Sequence, residues 1–569
     1  MKINKAYLLL ALIIVTGAIL RLWGLDFGLP YQFHQDEPMA INHAISYGSG
    51  DFNPHFFQLP PLIGYLLFIS YGLFYVIGLC THFFTGTDSF LKLFIQDPTS
   101  FYIIARLLLG FLPGVLSIIC VYKLAYIITN KRTAYLSAFF LSVVFIHVRN
   151  SHYAYHDISL TLCIMLVLVY SFHYLEDKKI KNLFIAGAIA GIAAGFKYNG
   201  SLIIIPVLVL PWLNRYDINK VSIIKYSFYF LCTFFIFCFL TNPYAVLDYK
   251  SFIQSLLHER QAHGFVGWFH HIGYSCFEGM GILLTVLSAF GALLFLFSGD
   301  RRKQVVAFFI FLTYLSIVYF GQHHERYILP MVPFLIIMAC FCIDKLLARI
   351  ADKKQRIFAT IFVIIVCSGT TMTKSVYSDI LFARVDTRSQ AVEWILKNLP
   401  EGERIAVDHS FFSPRLTQSM QQIDDKTSQL KKTDTNGPRL KKAEILKRLA
   451  KEAKTYNVFF LDDNKDKKFA FSNQPYLSFD IGEILKNNID YVVLHADYPM
   501  QRYSREDFKE SLLAISKLVK EFNPYKTEQF DLENGISVTS GPFRTKNIFA
   551  RRYNGPVLFI YKIDKNKIR

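Results

Sequence analysis

Long apolar runs separated by short polar stretches dominate the first two thirds of this chain. Runs of about twenty apolar residues match the hydrocarbon thickness of a bilayer and predict transmembrane helices. The candidates cover residues 6–24, 61–80, 99–128, 133–149, 158–175, 182–196, 201–213, 221–241, 276–298, 304–320, 328–347 and 357–373. This pattern predicts a polytopic α-helical membrane protein.

Basic clusters between the runs orient the predicted helices, because cytoplasmic loops carry an excess of Lys and Arg. With the amino terminus in the cytoplasm and every run crossing, the clusters at 131–132, 176–181 and 301–303 would lie outside. The conflict disappears if residues 61–80 form an aromatic-rich juxtamembrane helix at the outer face. About eleven transmembrane helices then remain, and residues 374–569 are extracytoplasmic. A crossing helix at 61–80 stays the alternative.

The carboxyl-terminal third has short apolar runs instead of long ones. Those at 404–407, 458–461, 491–494 and 557–560 are typical of buried strands. Residues 389–399 and 443–453 have helical periodicity, and this alternation predicts a small α/β domain. We therefore assign residues 1–373 to a transmembrane domain and residues 374–569 to a soluble domain, in which the polar stretch 414–440 predicts a surface loop.

Composition agrees with a membrane protein. The 569 residues are 53% hydrophobic and 18% charged, with a mean hydropathy of +0.31, which exceeds what a soluble core buries. Many of the cations behind the net charge of +18 lie beside apolar runs, where they orient helices and contact anionic head groups. The soluble segment has no basic patch interleaved with aromatic residues, so nucleic acid is not an expected partner. All nine cysteines fall in or beside apolar runs, and no disulfide framework is predicted.

Two adjacent carboxylates, Asp36 and Glu37, follow the first apolar run almost directly. Acidic side chains are costly beside hydrocarbon and are kept there for ion, proton or substrate handling. Asp36 is a candidate general base for an attacking hydroxyl. A divalent-metal site is a second interpretation. The third is structural, with Asp36 capping the next helix and Pro38 at its first position.

Asp157 opens the run 158–175 from the outer side, where a helix favours a carboxylate electrostatically. Four cations are placed at or near the same face: Arg106, Arg149, Lys197 and Arg326. Such side chains either snorkel to the interface or bind a phosphate, for which guanidinium is well shaped. We interpret them as candidate phosphate ligands. Candidate lining residues of the same pocket are His34, His55, His152, Tyr198 and Tyr327.

Histidines at 258, 263, 270, 271, 323 and 324 raise the question of zinc. Imidazole and carboxylate ligands can hold this metal, but these spacings match no compact zinc motif. The sequence requires no cofactor, and a divalent metal held by Asp36, Glu37 and Asp157 stays an open alternative.

Five stretches in a fixed order resemble the phospholipid-carrier-dependent glycosyltransferases of the GT-C fold. The similarity is to family 39, which contains the protein O-mannosyltransferases, and to the lipid A aminoarabinose transferases. The stretches are His34-Gln35-Asp36-Glu37-Pro38, Leu59-Pro60-Pro61-Leu62 and residues 149–157, 195–200 and 326–333. The Trp-Trp-Asp signature of oligosaccharyltransferases is absent from the sequence, and so is the MIR-type repeat of eukaryotic protein mannosyltransferases, which leaves the acceptor open.

The resemblance implies a GT-C transmembrane domain with juxtamembrane helices in the first external loop. It implies transfer of a sugar from a polyprenyl-phosphate donor to a hydroxyl of a lipid, glycan or protein, with inversion, outside a bacterial or archaeal cell membrane. Asp36 is then the general base, with Glu37 and Asp157 shaping the acceptor and sugar side. Lys197 and Arg326, with Arg106 or Arg149, neutralise the phosphate.

Two other classes stay open. A transporter or flippase of polyprenyl-linked or anionic solutes would use the external charges as a gate, although the predicted spans carry few charges along a path through the membrane. A receptor or assembly subunit would act through its external α/β domain.

Overall fold

The structure, a computed structural model, describes residues 5–213, 220–262, 267–321, 323–408, 413–433, 437–462, 475–496, 502–527 and 543–567. The chain forms two compact units. The first contains Met1–Leu25, Met39–Ser70 and Tyr102–Asp379, and the second contains Asp26–Pro38, Tyr71–Phe101 and Ile380–Arg569. The second unit therefore combines most of the predicted soluble domain with two stretches from the amino-terminal part of the chain.

Helices form most of the chain before residue 383. They are α1 (Lys5–Leu22), α2 (Glu37–Ser46), α3 (Leu62–Cys80), α4 (Thr87–Gln96), α5 (Thr99–Arg106), α6 (Leu112–Ile128), α7 (Lys131–Val143), α8 (Phe145–Asn150), α9 (His156–Asp177), α10 (Ile180–Phe196), α11 (Ile204–Leu213), α12 (Lys220–Thr241), α13 (Tyr244–Leu247), α14 (Tyr249–Ala262), α15 (Phe277–Met280), α16 (Ile282–Leu296), α17 (Arg301–Tyr319), α18 (Val332–Leu347) and α19 (Lys353–Phe382). Short 3₁₀ helices lie at Tyr47–Ser49, Tyr198–Ile203 and Glu325–Met331, and π-helical turns at Leu107–Phe111 and His271–Cys276.

Among the described residues, seven helical segments are long and apolar enough to cross a bilayer, or up to eight if a bent pair is one span. They are Leu62–Cys80, Thr99–Ile128, His156–Asp177, Ile223–Thr241, Arg301–Tyr319, Glu325–Leu347 and Lys353–Asn398, with His271–Leu296 as the bent pair. Shorter apolar helices lie at Tyr7–Leu22, Ile180–Phe196 and Tyr198–Trp212. The predicted polytopic helical membrane protein is confirmed. By length and composition alone, Leu62–Cys80 also qualifies as a span.

Two of the predicted apolar runs are interrupted in the structure. Residues 133–149 break between α7 and α8, because Val144 has an extended ψ of 125° and the N–H of Phe145 donates to Thr371 Oγ1 at 2.8 Å. Residues 276–298 bend by 116° at Gly281. The apolar pattern of a run does not reveal a hydrogen bond from a hydroxyl far away in the sequence, such as that of Thr371, or the backbone conformation of a residue such as Gly281. These two breaks could therefore not be predicted from the sequence.

Close helix packing in the first unit fixes the end of α10. This helix packs against α9 and α12. A Cβ at Gly187 or Gly191 would lie 2.5 or 2.6 Å from the backbone oxygens of Phe230 and Phe234 in α12. Small residues four apart allow such close approach between helices in a membrane. The packing holds the carboxyl end of α10, after which Lys197 follows.

The second unit contains a six-stranded sheet with the order β3-β2-β1-β4-β6-β5. The strands are β1 (Arg404–Asp408), β2 (Asn457–Leu461), β3 (Tyr476–Leu477), β4 (Tyr491–His495), β5 (Ser516–Phe522) and β6 (Leu558–Ile563). β1 to β4 are parallel, with Ile405 opposite Val458 and Tyr491, whereas β6 runs antiparallel to both β4 and β5. The predicted small α/β domain is confirmed.

Among the described residues, six further helices precede the first strand or lie between strands along the chain. They are α20 (Thr387–Asn398), α21 (Met420–Thr433), α22 (Pro438–Ala450), α23 (Ile481–Lys486), α24 (Arg502–Ile515) and α25 (Thr545–Ala550). The prediction of a surface loop at 414–440 is wrong, because α21 occupies its centre. Leu430 forms a small buried cluster with Leu440 and Ala443. Leu430 thus gains its buried apolar partners from α22.

Candidate active site

Asp157 lies in the first turn of α9, where its side chain is only 4% exposed. Lys197 Nζ is 3.0 Å from its Oδ1 and donates a hydrogen bond to it, and Arg326 Nε lies 3.7 Å from its Oδ2. We call these three residues the Asp157 cluster. They come from the start of α9, the end of α10 and the 3₁₀ helix Glu325–Met331. The three charges that the sequence predicted at the outer face are therefore brought together.

Aromatic rings line the two cations of the cluster. Lys197 Nζ lies 4.1 Å from the centroid of the Tyr327 ring, and the Arg326 guanidinium carbon lies 4.5 Å from that of Tyr155. The face of an aromatic ring attracts a cation electrostatically. The rings and the carboxylate thus hold both cations in place, while the side chains of Lys197 and Arg326 keep 14% and 13% of their surface exposed.

Arg149 lies in an internal ion pair. Its Nη1 donates to Glu325 Oε1 at 2.6 Å, and the two side chains are 1% and 11% exposed. Glu325 directly precedes Arg326 in the same 3₁₀ helix. The pair therefore ties α8 to the backbone that carries Arg326. Glu325 was not among the predicted site residues, and the one sequence feature that could have pointed to it is its position directly before Arg326.

Arg106 and His152 bind backbone carbonyls beyond the end of α1. Arg106 is fully buried and donates to the oxygen of Leu25 at 2.7 Å. His152 Nε2 lies 3.1 Å from the oxygen of Trp23, and its Nδ1 lies 3.0 Å from that of Val148. Burial, which outweighs these carbonyl contacts, lowers the pKa of His152 to about 4. At neutral pH His152 is therefore an uncharged part of the packing around residues 23–25.

The other predicted lining residues of the first unit differ in their surroundings. Tyr198 directly follows Lys197 in the chain, and its hydroxyl donates to the backbone oxygen of Phe57 at 3.1 Å. His55 forms an exposed pair with Asp51, with 2.9 Å between Nε2 and Oδ2 and 66% of the His55 side chain exposed. His55 is thus a surface residue, whereas Tyr198 supports the segment that follows α10.

The acidic motif belongs to the second unit up to Pro38. α2 begins at Glu37, whose side chain is fully buried, and Asp36 is half-buried directly before it. The backbone N–H of Asp36 donates to His34 Nδ1 at 3.3 Å, and His34 is 1% exposed. Asp36 is therefore placed at the start of a helix with its backbone fixed by its own loop.

No group of three or more His, Cys, Asp or Glu side chains that could hold a metal ion occurs among the residues that the structure describes. Of the six histidines considered for zinc, His263 and the side chain of His258 lie outside the described part of the chain. His270 and His323 come close, with 3.2 Å between the His270 Nε2 and the backbone oxygen of His323. This contact involves a carbonyl and not a third ligand.

Part of the chain matches the model of a known family. The family model described as dolichyl-phosphate-mannose-protein mannosyltransferase matches residues 88–244, a segment that contains Asp157 and Lys197. No curated protein sequence matches the chain.

Solved structures of membrane glycosyltransferases are similar to this chain. The oligosaccharyltransferase of Archaeoglobus fulgidus, tethered with an acceptor peptide, matches at 12% identity over 99% of this chain and 89% of its own, with a TM-score of 0.50. ArnT from Cupriavidus metallidurans, bound to undecaprenyl phosphate, matches at 12% identity over 97% of each chain with a TM-score of 0.47. The Pmt1-Pmt2 complex of Saccharomyces cerevisiae, bound to its sugar donor, matches at 24% identity over 44% and 35% with a TM-score of 0.34. The resemblance to the GT-C glycosyltransferases is confirmed.

Proposed function

We propose that this protein is an integral-membrane glycosyltransferase that moves a sugar from a polyprenyl-phosphate donor to an acceptor hydroxyl on the extracytoplasmic side. The observation that carries the proposal is the Asp157 cluster, in which two cations converge on one buried carboxylate. The match to a family named for dolichyl-phosphate mannose supports this donor class, since dolichol is a polyprenol.

Lys197 and Arg326 bind the donor phosphate in this proposal. Both cations already contact one anionic group, and a phosphate oxygen has the same charge and hydrogen-bonding needs as a carboxylate oxygen. Their side chains keep some exposed surface, whereas Arg106 and Arg149 are 0% and 1% exposed. We therefore assign contact with the phosphate to Lys197 and Arg326, and support of the surrounding backbone to Arg106 and Arg149.

The cations stabilise the leaving group. As the bond between the anomeric carbon and the phosphate oxygen breaks, negative charge develops on the polyprenyl phosphate, and fixed cations at that place lower the barrier. Asp157 orients both cations. A carboxylate held by two cations is a weak base, because both favour its ionised form. Asp157 is therefore a poorer candidate for proton transfer than Asp36.

Asp36 is the general base of the proposal. It takes the proton of the acceptor hydroxyl while the hydroxyl oxygen attacks the anomeric carbon from the face opposite to the phosphate, so the configuration inverts. Glu37, fully buried at the first position of α2, fixes the start of the helix beside it. The products are the glycosylated acceptor and free polyprenyl phosphate, and no cofactor takes part in this balance.

Release of polyprenyl phosphate tests the proposal. Purified protein is incubated with a panel of polyprenyl-phosphate sugars and candidate acceptors, and the freed lipid phosphate is measured. Asp36→Asn is expected to lower turnover by about a hundredfold to ten-thousandfold, the usual contribution of a general base, while donor binding persists. Asp26→Asn is the matched control, since Asp26 is an exposed acid of the same loop.

Two results would contradict the proposal. Near-normal turnover of the Asp36→Asn protein removes Asp36 from the role of base. Movement of a lipid-linked sugar across vesicles without release of lipid phosphate indicates a transporter instead.

A further inference from the structure

The loop that carries Asp36 is packed onto the α/β domain within the second unit. The Phe33 ring is buried at 3% exposure, and the guanidinium carbon of Arg388 lies 3.8 Å from its centroid. Arg388 belongs to the first turn of α20. A cation this close to a ring face in a buried place is a strong contact, so it anchors Phe33 to the α/β domain.

Arg388 is itself held rigidly. Asp386 caps α20, and its Oδ1 accepts the backbone N–H of Arg388 at 2.9 Å. The same carboxylate accepts Arg388 Nε at 2.9 Å and Nη2 at 2.8 Å. This bidentate hydrogen bonding fixes the plane of the guanidinium. The guanidinium face that covers Phe33 is therefore oriented by contacts within the start of α20, independently of the loop.

A second arginine binds the same loop one residue earlier. Arg415 Nη2 donates to the backbone oxygen of Gln32 at 3.1 Å. Gln32 has a backbone φ of +59°, in the left-handed region that residues other than glycine rarely adopt. Such a conformation costs about 1 kcal/mol or more and persists where its surroundings hold it. The hydrogen bond from Arg415 is one of the contacts that stabilise this backbone conformation.

These contacts lead directly to the acidic residue. Phe33 is followed by buried His34, whose Nδ1 accepts the N–H of Asp36 at 3.3 Å. The backbone between Gln32 and Asp36 is thus fixed at a carbonyl, at a ring and at an amide. Arg388 contacts the chain three positions before Asp36, at Phe33, and Arg415 contacts it four positions before, at Gln32.

We propose that the α/β domain acts as a clamp on the catalytic loop, with Arg388 and Arg415 as positioning residues for Asp36. The inference rests on the proposed function where it concerns catalysis. Without the clamp the base loses its fixed position, and small displacements of a reacting group cost about a hundredfold in rate. Lys197 and Arg326 do not depend on these arginines for their contacts with Asp157, so donor binding is expected to persist.

Kinetics of the full-length protein test the positioning role. Arg388→Ala is expected to lower kcat about tenfold to a hundredfold with the KM for the donor unchanged. Arg388→Lys restores part of kcat, because lysine keeps the charge over the ring but lacks the planar fork. Phe33→Leu gives a similar loss, and the double variant Phe33→Leu/Arg388→Ala loses no more than either single variant.

Arg404→Ala is the matched control. Arg404 stands over Phe459 at 5.4 Å, which is the same kind of contact between β1 and β2 in the same domain. It is expected to leave kcat unchanged at equal thermal stability.

Hydrogen exchange gives a readout that needs no activity. Amides of residues 32–36 are expected to exchange faster in Arg388→Ala than in the wild type and in Arg404→Ala. Unchanged exchange in Arg388→Ala overturns the clamp. Faster exchange with unchanged kcat overturns the positioning role. If no variant, the wild type included, releases lipid phosphate, the proposed function fails, and the exchange result still decides whether the clamp exists.

Discussion

At the scale of single residues, burial separates cations that look alike in the sequence. Lys197 and Arg326 share Asp157 and keep part of their side-chain surface exposed. Arg149 is paired with its own acid, Glu325, at 2.6 Å. The same substitution is therefore expected to affect ligand binding in the first case and folding in the second.

Lys197→Ala is expected to raise the KM for the donor about tenfold to a hundredfold, because a hydrogen bond to a charged group contributes about 1.5–3 kcal/mol. The readout is initial rate against donor concentration. Lys179→Ala, which removes an exposed lysine paired with Asp177, is the control and leaves KM unchanged. An unchanged KM in Lys197→Ala would remove this residue from the phosphate site.

Arg149→Met is expected to act on stability instead. Removing one partner of a buried ion pair costs about 3–5 kcal/mol, because the other charge stays buried. The midpoint of thermal unfolding should fall, and Arg149→Met/Glu325→Gln should recover most of it. A raised KM for the donor at unchanged stability would instead return Arg149 to the phosphate ligands.

The sequence singled out Asp157, Lys197 and Arg326 because each one lies at the predicted outer end of an apolar run. It did not show which acid each cation meets. Lys197 lies 40 residues from Asp157, and Arg149 lies 176 residues from Glu325. Such pairings depend on how the helices pack against one another, and the spacing of the charges along the sequence does not determine that packing.

At the scale of elements, the helices of the first unit were largely predictable, because bilayer thickness sets their length. Their interruptions were not. The break at Val144 involves a hydroxyl from α19, and the helix at 420–433 depends on contact with α22. Four of the six described strands, β1, β2, β4 and β6, were predicted within a few residues, since buried strands carry dense apolar runs, whereas β3 and β5 were not predicted.

The bend at Gly281 depends on backbone conformation. Gly281 has φ +90° and ψ 148°, and a Cβ at this position would meet no atom within 4 Å. Gly281→Ala is therefore expected to destabilise through backbone strain alone, by about 1–3 kcal/mol, and to lower the thermal midpoint in detergent. Gly299→Ala meets equally open space at ordinary φ and should change the free energy of unfolding by less than about 0.5 kcal/mol. Equal effects of the two substitutions would show that the bend does not require glycine.

At the scale of the whole molecule, contacts within the second unit constrain the membrane path. Residues 26–38 bind the α/β domain through Phe33, and α4 binds it through Asp88, whose Oδ1 lies 3.2 Å from Lys441 Nζ. A folded polar domain lies on one side of a bilayer, so both stretches lie on that side. The chain between them must cross an even number of times. It contains α2, which is too short to cross, and α3.

We therefore predict that α3 does not cross the membrane, although its 19 residues are long and apolar enough to do so. Its second half packs instead against the loop and helix that follow, with ring centroids of Phe74 and Phe84 5.3 Å apart and those of Phe84 and Phe90 also 5.3 Å apart. The exposed side chains of Ile69, Leu73, Val76 and Ile77 form an apolar surface that suits the membrane interface. The juxtamembrane location that the loop charges predicted is thus consistent with these contacts and stays a prediction.

Cysteine labelling in intact cells tests this path. In a Cys80→Ser background, which removes the exposed native thiol, Thr85→Cys and Glu510→Cys are expected to react with a membrane-impermeant maleimide. Lys131→Cys should react only after permeabilisation, because it belongs to a basic cluster predicted to be cytoplasmic. The decisive comparison is between Thr85→Cys and Asp51→Cys, an exposed position shortly before α3. If α3 crosses, these two positions label from opposite sides, whichever way the protein is inserted, and residues 26–38 and α4 cannot both contact one folded domain.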